Sequence, residues 1–472
     1  MDKSKSIFNN SNLSNKAKKS TQMKYSFLIH LSYGLGGFLI HFLAAALAVR
    51  IIFFYENVLL LNIVLIGIVF IIFGFWNMVN DPLIGYFSDK PTRFTQRWGR
   101  RYPWFLITVF PCCVFYLLIF LVPFKDTIGM FLWLLVILCA FEFTFSAFNT
   151  SHLALFPEKF RTDKERMRVA GISTVAGQIG IAMGIIIPPL FIQPNNLNSY
   201  ILAASVVMLI GLVFGVIMIP GMKEDVELRN LAYEQVEKSS FFKTLKTALR
   251  QKNFNVYLYV YFAHSIMTVM MLSSIPFWTV YVIETDSPTL TEAVLAATFL
   301  IAGMCSVPMW VKIGRRVGNR KAFMYGTLLT SIFFIPLLFI SDILFSIITI
   351  AAVGIGIGAI WTLISPCLSD VIDESVIITN KRQEAFYTGI RTFFGRFAIV
   401  IQGIAFALVH TLTFYKAGAE TQAPLAKLGI RILMAGMPMI FYFIAFLAIW
   451  LFYDLTPEKV QANQNLLRER GI

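Results

Sequence analysis

The sequence predicts an all-α integral membrane protein of about twelve transmembrane helices, arranged as two six-helix bundles with both termini inside. Composition, the spacing of apolar runs and the placement of charge predict it. Of 472 residues, 57% are hydrophobic and 14% charged, with a mean hydropathy of +0.71. Soluble domains sit nearer ~45–50% apolar and ~25% charged. Twelve spans of ~23 residues would use about 276 residues, which leaves almost nothing for a soluble catalytic domain.

Apolar runs place the spans near 25–54, 58–87, 103–124, 127–156, 168–193, 199–221, 254–284, 290–313, 321–341, 343–369, 384–414 and 428–454. The first run is too long for a signal-peptide core, and the Ser/Asn/Lys-rich stretch 1–24 reads as a disordered cytoplasmic tail. Spans 1 to 6 form a bundle over 25–221, and spans 7 to 12 form a second over 254–455. The charged stretch 222–253 joins them, and 456–472 is a cytoplasmic tail. Within the linker, Phe241, Leu245, Ala248 and Leu249 share one helical face, as in an amphipathic helix lying on a membrane surface.

Charge sets the orientation. With both termini inside, 33 of the 40 Lys and Arg residues fall in the tails and inner loops, against five outside, Arg50 among them. That asymmetry satisfies the positive-inside rule. The net charge of +14 is therefore a topology signal and implies no nucleic-acid partner. The five cysteines all lie in predicted spans without a Cys-x-x-Cys pair, so neither a zinc site nor a disulfide framework is indicated.

The halves carry matching basic loops: Gly85-Tyr86-Phe87-Ser88-Asp89-Lys90 then Arg97-Trp98-Gly99-Arg100-Arg101 after span 2, and Pro308-Met309-Trp310-Val311-Lys312-Ile313-Gly314-Arg315-Arg316-Val317-Gly318-Asn319-Arg320 after span 8. Twelve spans in two related halves is the plan of the major facilitator fold, whose solute site lies between the halves near the bilayer midplane. No phosphate-binding Gly-x-x-x-x-Gly-Lys-Ser/Thr occurs. Gly354-x-Gly356-x-Gly358 lies within a span, where close helix packing explains it better than a dinucleotide site. No catalytic constellation is present, so an enzyme is the least favoured class, and no cofactor is expected beyond a coupling ion, H⁺ or Na⁺.

Ionisable groups in hydrocarbon mark candidate sites, because each costs ~2.5–3.5 kcal/mol to insert. Asp81 is the strongest. Asn77, Asn80 and Asp81 share one helical face, so the carboxylate either binds Na⁺ among these oxygens or takes a proton itself. A plainer reading has Asp81 bonding to backbone freed by Pro82. Span 4 carries a polar stripe of Glu142, Ser146 and Asn149, with Glu142 read equally as a structural pair. His41 and His264 read first as hydrogen-bonding packers. Span 11 carries Arg391, which reads as snorkelling, and Arg396, deeper in, for which Asp81 is the candidate partner. Trp361 suits stacking on a sugar ring, or simply fills a helix interface. At the inner face Asp89, Arg100 and Arg101 on one half and Asp370, Asp373 and Glu374 on the other are candidate gating pairs, or plain topology anchors.

The run Asn80-Asp81-Pro82-x-x-Gly85-x-x-Ser88-Asp89, followed by Arg97-Trp98-Gly99-Arg100-Arg101-x-Pro103, resembles the helix-2 signature of glycoside–pentoside–hexuronide:cation symporters of the melibiose-permease type. Ala154-Leu155-x-Pro157-Glu158, Pro366-x-x-x-Asp370-x-x-Asp373-Glu374 and Arg382-x-Glu384 agree with it. The resemblance implies a cation site at Asn77, Asn80, Asp81 and Ser146. It puts Trp361 at the sugar-binding tryptophan and Arg396 near a lysine linking cation and solute sites. Asn77, His41 and Asn149 each stand where sugar carriers have an aspartate, which removes three carboxylates. An animal lysophospholipid carrier shares the signature, so an amphipathic solute is the alternative.

The expectation is a monomeric, multi-pass cell-membrane symporter that carries a glycoside-like solute inward with H⁺ or Na⁺. Asp81 would hold the cation, Arg396 would sense it, and Trp361, Asn149 and His41 would shape the solute pocket. A non-transporting receptor is the alternative from another class; it would bind ligand without flux.

Overall fold

An apolar run can cross hydrocarbon only if its backbone bonds internally, so each span must become a helix. The computed structural model describes residues 24–89, 98–193, 196–225, 248–283, 285–379 and 384–469. Twelve of its helices are long and apolar enough to span a membrane. They are α1 (Phe27–Val58), α2 (Ile63–Asp89), α3 (Tyr102–Phe120), α4 (Thr127–Lys159), α5 (Asp163–Phe191) and α6 (Leu197–Met222), then α7 (Lys252–Tyr281), α8 (Pro288–Val317), α9 (Asn319–Leu338), α10 (Ile343–Thr379), α11 (Glu384–Leu412) and α12 (Pro424–Phe452). A thirteenth helix, α13 (Pro457–Glu469), follows in the expected tail. Most of the expected amphipathic linker helix falls in 226–247, outside the described residues.

Two boundaries differ from expectation. Helix α10 continues to Thr379 where the apolar run ends near 369, because Val371, Ile372 and Val376 bury one face and allow Asp373 and Glu374 to ride on the other. Arg50, expected in an outer loop, is buried within α1.

The packing shows the internal repeat more clearly than the sequence does. In the first half α1 packs on α5 and α6, α2 on α4, and α3 on α4 and α6. In the second half α7 packs on α11 and α12, α8 on α10, and α9 on α10 and α12. Every pair has its counterpart six helices later. The two matched loops share geometry as well, since Gly99 and Gly318 both take positive φ (93° and 86°), a region that side chains disfavour. The glycine run of α10 is a packing surface. A Cβ at Gly354 would lie 2.5 Å from the Phe299 carbonyl oxygen of α8, and one at Gly356 would lie 2.5 Å from Thr330 Oγ1 of α9.

Between the halves, α2 packs on α11, α5 on α8 and α1 on α7. By the charge count, the end bearing the basic loops is cytoplasmic. At the opposite, outer end the halves are locked together. Arg50 of α1 donates to Glu292 of α8, and both are buried. Glu292 also accepts from Thr279 Oγ1 at 3.1 Å. Glu56 at the end of α1 lies 2.9 Å from His410 Nδ1 of α11. Asn57 Oδ1 accepts from the hydroxyls of Tyr281 (3.2 Å) and Tyr415 (2.7 Å) and from the Gly418 N–H (3.1 Å). The central site lies on the cytoplasmic side of this seal.

Candidate functional site

Three helices bring charge to the middle of the bundle. Helix α4 starts at Asp126, whose side chain caps it by accepting from the Gly129 N–H at 2.7 Å, and it carries Glu142 inward. Ser146, one turn on, donates its hydroxyl to Glu142 Oε1 at 3.2 Å. Helix α2 brings Asn77, Asn80 and Asp81; Asn80 Nδ2 donates to the Glu142 backbone carbonyl at 3.2 Å, which pins α2 against α4. From the other half, α11 brings Arg396, with Nη2 3.5 Å from Asp81 Oδ2 and 3.9 Å from Glu142 Oε1. One guanidinium therefore faces two carboxylates.

The three charged groups differ in access. The Asp81 and Arg396 side chains are 32% and 27% exposed, whereas that of Glu142 is 6% exposed. Both side-chain atoms of Asn77 and Oδ1 of Asn80 are buried with no hydrogen-bond partner among the described residues. These amides are costly to leave unsatisfied.

Two cavities flank α7. The first holds about 640 Å³ of empty space. Asn77, Glu142, Arg396, Ser273 and Gln402 supply its polar groups, and the remaining lining is apolar, including Phe70, Phe73, Phe141 and Phe145. Its outer floor is a short ladder: Gln402 Nε2 donates to Ser273 Oγ at 2.6 Å, and Ser273 Oγ donates to the Ala48 carbonyl at 2.8 Å. The second cavity, about 770 Å³, lies among α5, α7, α8 and α10. Gln178, His264, Thr268 and Trp361 meet there in a lining of Met, Leu, Ile and Phe side chains. Trp361 turns its edge to Phe299, with centroids 5.9 Å apart, and packs so closely on Gly303 that a Cβ there would lie 2.7 Å from the ring. Trp361 and Arg396 thus line different cavities.

The other residues singled out in the sequence fall apart from this cluster. His41 is exposed and turns Nδ1 to the Gly37 carbonyl at 2.8 Å; it lies on the α1 face that carries Ala44 and Ala48 but borders neither cavity. Asn149 is half-buried further along α4, also outside both linings. His264 bonds Tyr442 Oη at 3.0 Å. Arg391 stacks over the Tyr261 ring at 4.8 Å and donates to Tyr257 Oη at 3.3 Å, so it is held in the protein instead of snorkelling.

At the cytoplasmic end, Arg100 pairs with Glu158 at 2.7 Å within the first half. The Arg100, Arg101 and Tyr102 backbone N–H groups all donate to the Glu224 carboxylate, a negative cap on the start of α3. Asp370 accepts from Asn319 Nδ2 at 2.9 Å within the second half, and Asp373 is half-exposed on α10. Asp89 ends α2, and its side chain lies outside the described residues. The sequence reading missed the paired charges of the outer seal. Arg50, Glu56 and Glu292 sit at span ends, where isolated charges are ordinary, so no local signal marked them.

A family profile described as MFS/sugar transport protein matches residues 32–457. The chain belongs to the MFS/sugar transport family. Among curated relatives, the sodium-dependent lysophosphatidylcholine symporter 1-B of Danio rerio is 24% identical, over 96% of this chain and 92% of its own length. The isoprimeverose transporter of Lactiplantibacillus pentosus is 23% identical, over 93% and 92%. The crystal structure of the nucleoside transporter NupG superposes with a TM-score of 0.63 at 14% identity, covering 90% of this chain and 99% of that one, which shows the shared fold. This family member is a multi-pass membrane transporter of the symporter type.

Proposed function

We propose that the protein is a secondary active transporter that couples a monovalent cation, H⁺ or Na⁺, to the movement of an amphipathic solute with a polar head. The observation that carries the reading is Arg396 set between Asp81 and Glu142, in a cavity whose lining is otherwise largely apolar. Charge buried in a membrane helix bundle is retained where it serves a transport path. A sugar site needs many hydrogen-bonding groups around each hydroxyl, whereas few polar groups line either cavity. A polar head in the first cavity and an apolar portion toward the second fit that distribution. Lysophosphatidylcholine symporters among the relatives support the same class. A glycoside is the second reading, favoured by the exposed part of the Trp361 ring and by the isoprimeverose relative.

In this mechanism Asp81 binds the cation from the accessible side, and Arg396 reports its occupancy by shifting toward Glu142. The outer seal then opens as the halves rock. One charge crossing 100 mV supplies about 2.3 kcal/mol, which sustains roughly a forty-fold solute gradient.

Proteoliposomes test both parts. Asp81→Asn is expected to abolish gradient-driven accumulation while counterflow persists; unchanged accumulation removes Asp81 from coupling. Competition of counterflow by a lysophospholipid but not by a xyloside supports the amphipathic solute, and the reverse result supports the glycoside.

A further inference from the structure

We infer that the first half binds an anionic phospholipid of the cytoplasmic leaflet, with its headgroup at Lys164 and Arg168 of α5 and one acyl chain in a groove between α1, α5 and α6. This site lies apart from the solute path and goes beyond the function proposed above. Three observations converge on it. First, a groove of about 900 Å³ opens on the membrane-facing surface of these helices, and every side chain that lines it is apolar, Phe38, Val175, Ile179 and Phe214 among them. It shares no residue with either central cavity. Its cytoplasmic end is wide, since a Cβ on Gly171 would meet nothing within 4 Å. Second, the length suits a single leaflet. The α5 lining runs from Gly171 to Met183, roughly 18 Å at the helical rise, and half of a hydrocarbon core is about 15 Å deep.

Third, the charge sits at the right end. Lys164 and Arg168 precede Gly171, Val175 and Ile179 at intervals of three or four residues, so they continue the same stripe of α5 to its cytoplasmic start. Both are exposed, and neither makes an ion pair or side-chain hydrogen bond among the described residues. Carboxylates of that corner are engaged elsewhere. Glu165 accepts from the Tyr25 N–H and from Thr162 Oγ1, each at 3.0 Å. Asp225 accepts from Tyr25 Oη at 2.6 Å and pairs with Lys24 at 3.2 Å. Two unpaired cations therefore cap an apolar channel on the side where anionic lipids concentrate. A zwitterionic headgroup would bring its own cation to the same place, which is why the anionic class is the occupant. The opposite face of α5 presents Gln178, Ile181 and Ile185 to the second central cavity, so the lipid backs that wall without entering it.

The test uses the purified full-length protein in detergent, with thermal unfolding titrated by phosphatidylglycerol or by phosphatidylcholine of the same acyl chains. The wild type is expected to show a saturable rise in midpoint, half-maximal at a phosphatidylglycerol concentration at least ten-fold below that for phosphatidylcholine. K164Q with R168Q should abolish this preference and leave the phosphatidylcholine response in place. R315Q with R316Q removes as much charge from the same membrane surface and should keep the preference. Gly171→Leu fills the open end of the groove and should weaken the response to both lipids. The inference is overturned if the wild type does not distinguish the lipids, if the preference survives K164Q with R168Q, or if G171L responds as the wild type does. Glycerol phosphate alone reproducing the rise would also overturn it, because the groove would then have no part in binding.

Discussion

The outer seal and the central site are built from the same kinds of residue, yet they are finished differently. At the seal Arg50 and Glu292 are 3% and 1% exposed and in direct contact, and Thr279 adds a further bond to the carboxylate, although Arg50 Nε itself makes no bond among the described residues. At the centre Arg396 stands at 3.5 and 3.9 Å from its two partners, with about a quarter of its side chain exposed, and the amide oxygens of Asn77 and Asn80 accept no hydrogen bond among the described residues. Completed pairs hold a conformation, whereas incomplete ones leave room for a guest. The contrast separates residues that set which state is populated from residues that set what is bound.

The largest expected effect is at the seal. Arg50→Ala strands a buried carboxylate, and breaking a buried pair on one side costs about 3–5 kcal/mol. The thermal midpoint should fall sharply and outside-facing cysteine probes near Ser273 should react faster. Replacing both partners, R50M with E292L, should recover most of the stability, because buried pairs are often matched by apolar residues of similar volume. If R50A is as stable as the wild type, the seal does not hold the state.

Arg396→Ala should behave in the opposite way. Its nearer partner Asp81 is partly hydrated and its contact with the buried Glu142 is longer, so the stability cost should be smaller than that of R50A, while gradient-driven accumulation is lost. A large drop in midpoint would make Arg396 a structural residue and erase the distinction between the two regions.

The smallest effect belongs to the cytoplasmic surface. Lys459 of α13 reaches Glu374 at 2.7 Å and Asp454 at 2.9 Å. Burial pushes the Asp454 carboxyl up, but hydrogen bonds from Lys459 and Asn253 outweigh it and hold the group below its usual value. Its contribution is therefore present above the ordinary carboxylate range and is lost as the pH falls through the lowered value. Lys459→Ala should cost at most about 1 kcal/mol near neutral pH, with the gap from wild type narrowing below about pH 4. A gap that widens in acid would reverse the sign of this contact.

Much of the fold was legible in the sequence because hydrocarbon thickness imposes a length on every span and the basic loops reveal the sidedness. The meeting of Asp81 and Arg396 was legible for a related reason: a charge deep in an apolar helix must find an opposite one, and few were available. Glu142 was harder to place, since a polar stripe on α4 looks the same whether it serves a cavity or a neighbouring helix. Trp361 and Arg396 seemed to belong to one pocket, yet α7 stands between the cavities they line. The pairs Arg50–Glu292 and Glu56–His410 depend on how one bundle is set against the other, which no local pattern encodes.

Where α2 meets α11, a Cβ on Gly67 would come within 2.9 Å of the Gly403 carbonyl oxygen, so main chain lies directly on main chain. Helix surfaces studded with large side chains interlock like gear teeth and resist turning. At Gly67, Gly74 and Gly403 this seam is smooth, with Phe75 and Phe397 meeting edge to face as its coarser contact. It offers a close bearing between the bundles, on which one could roll over the other as the outer latch opens and closes.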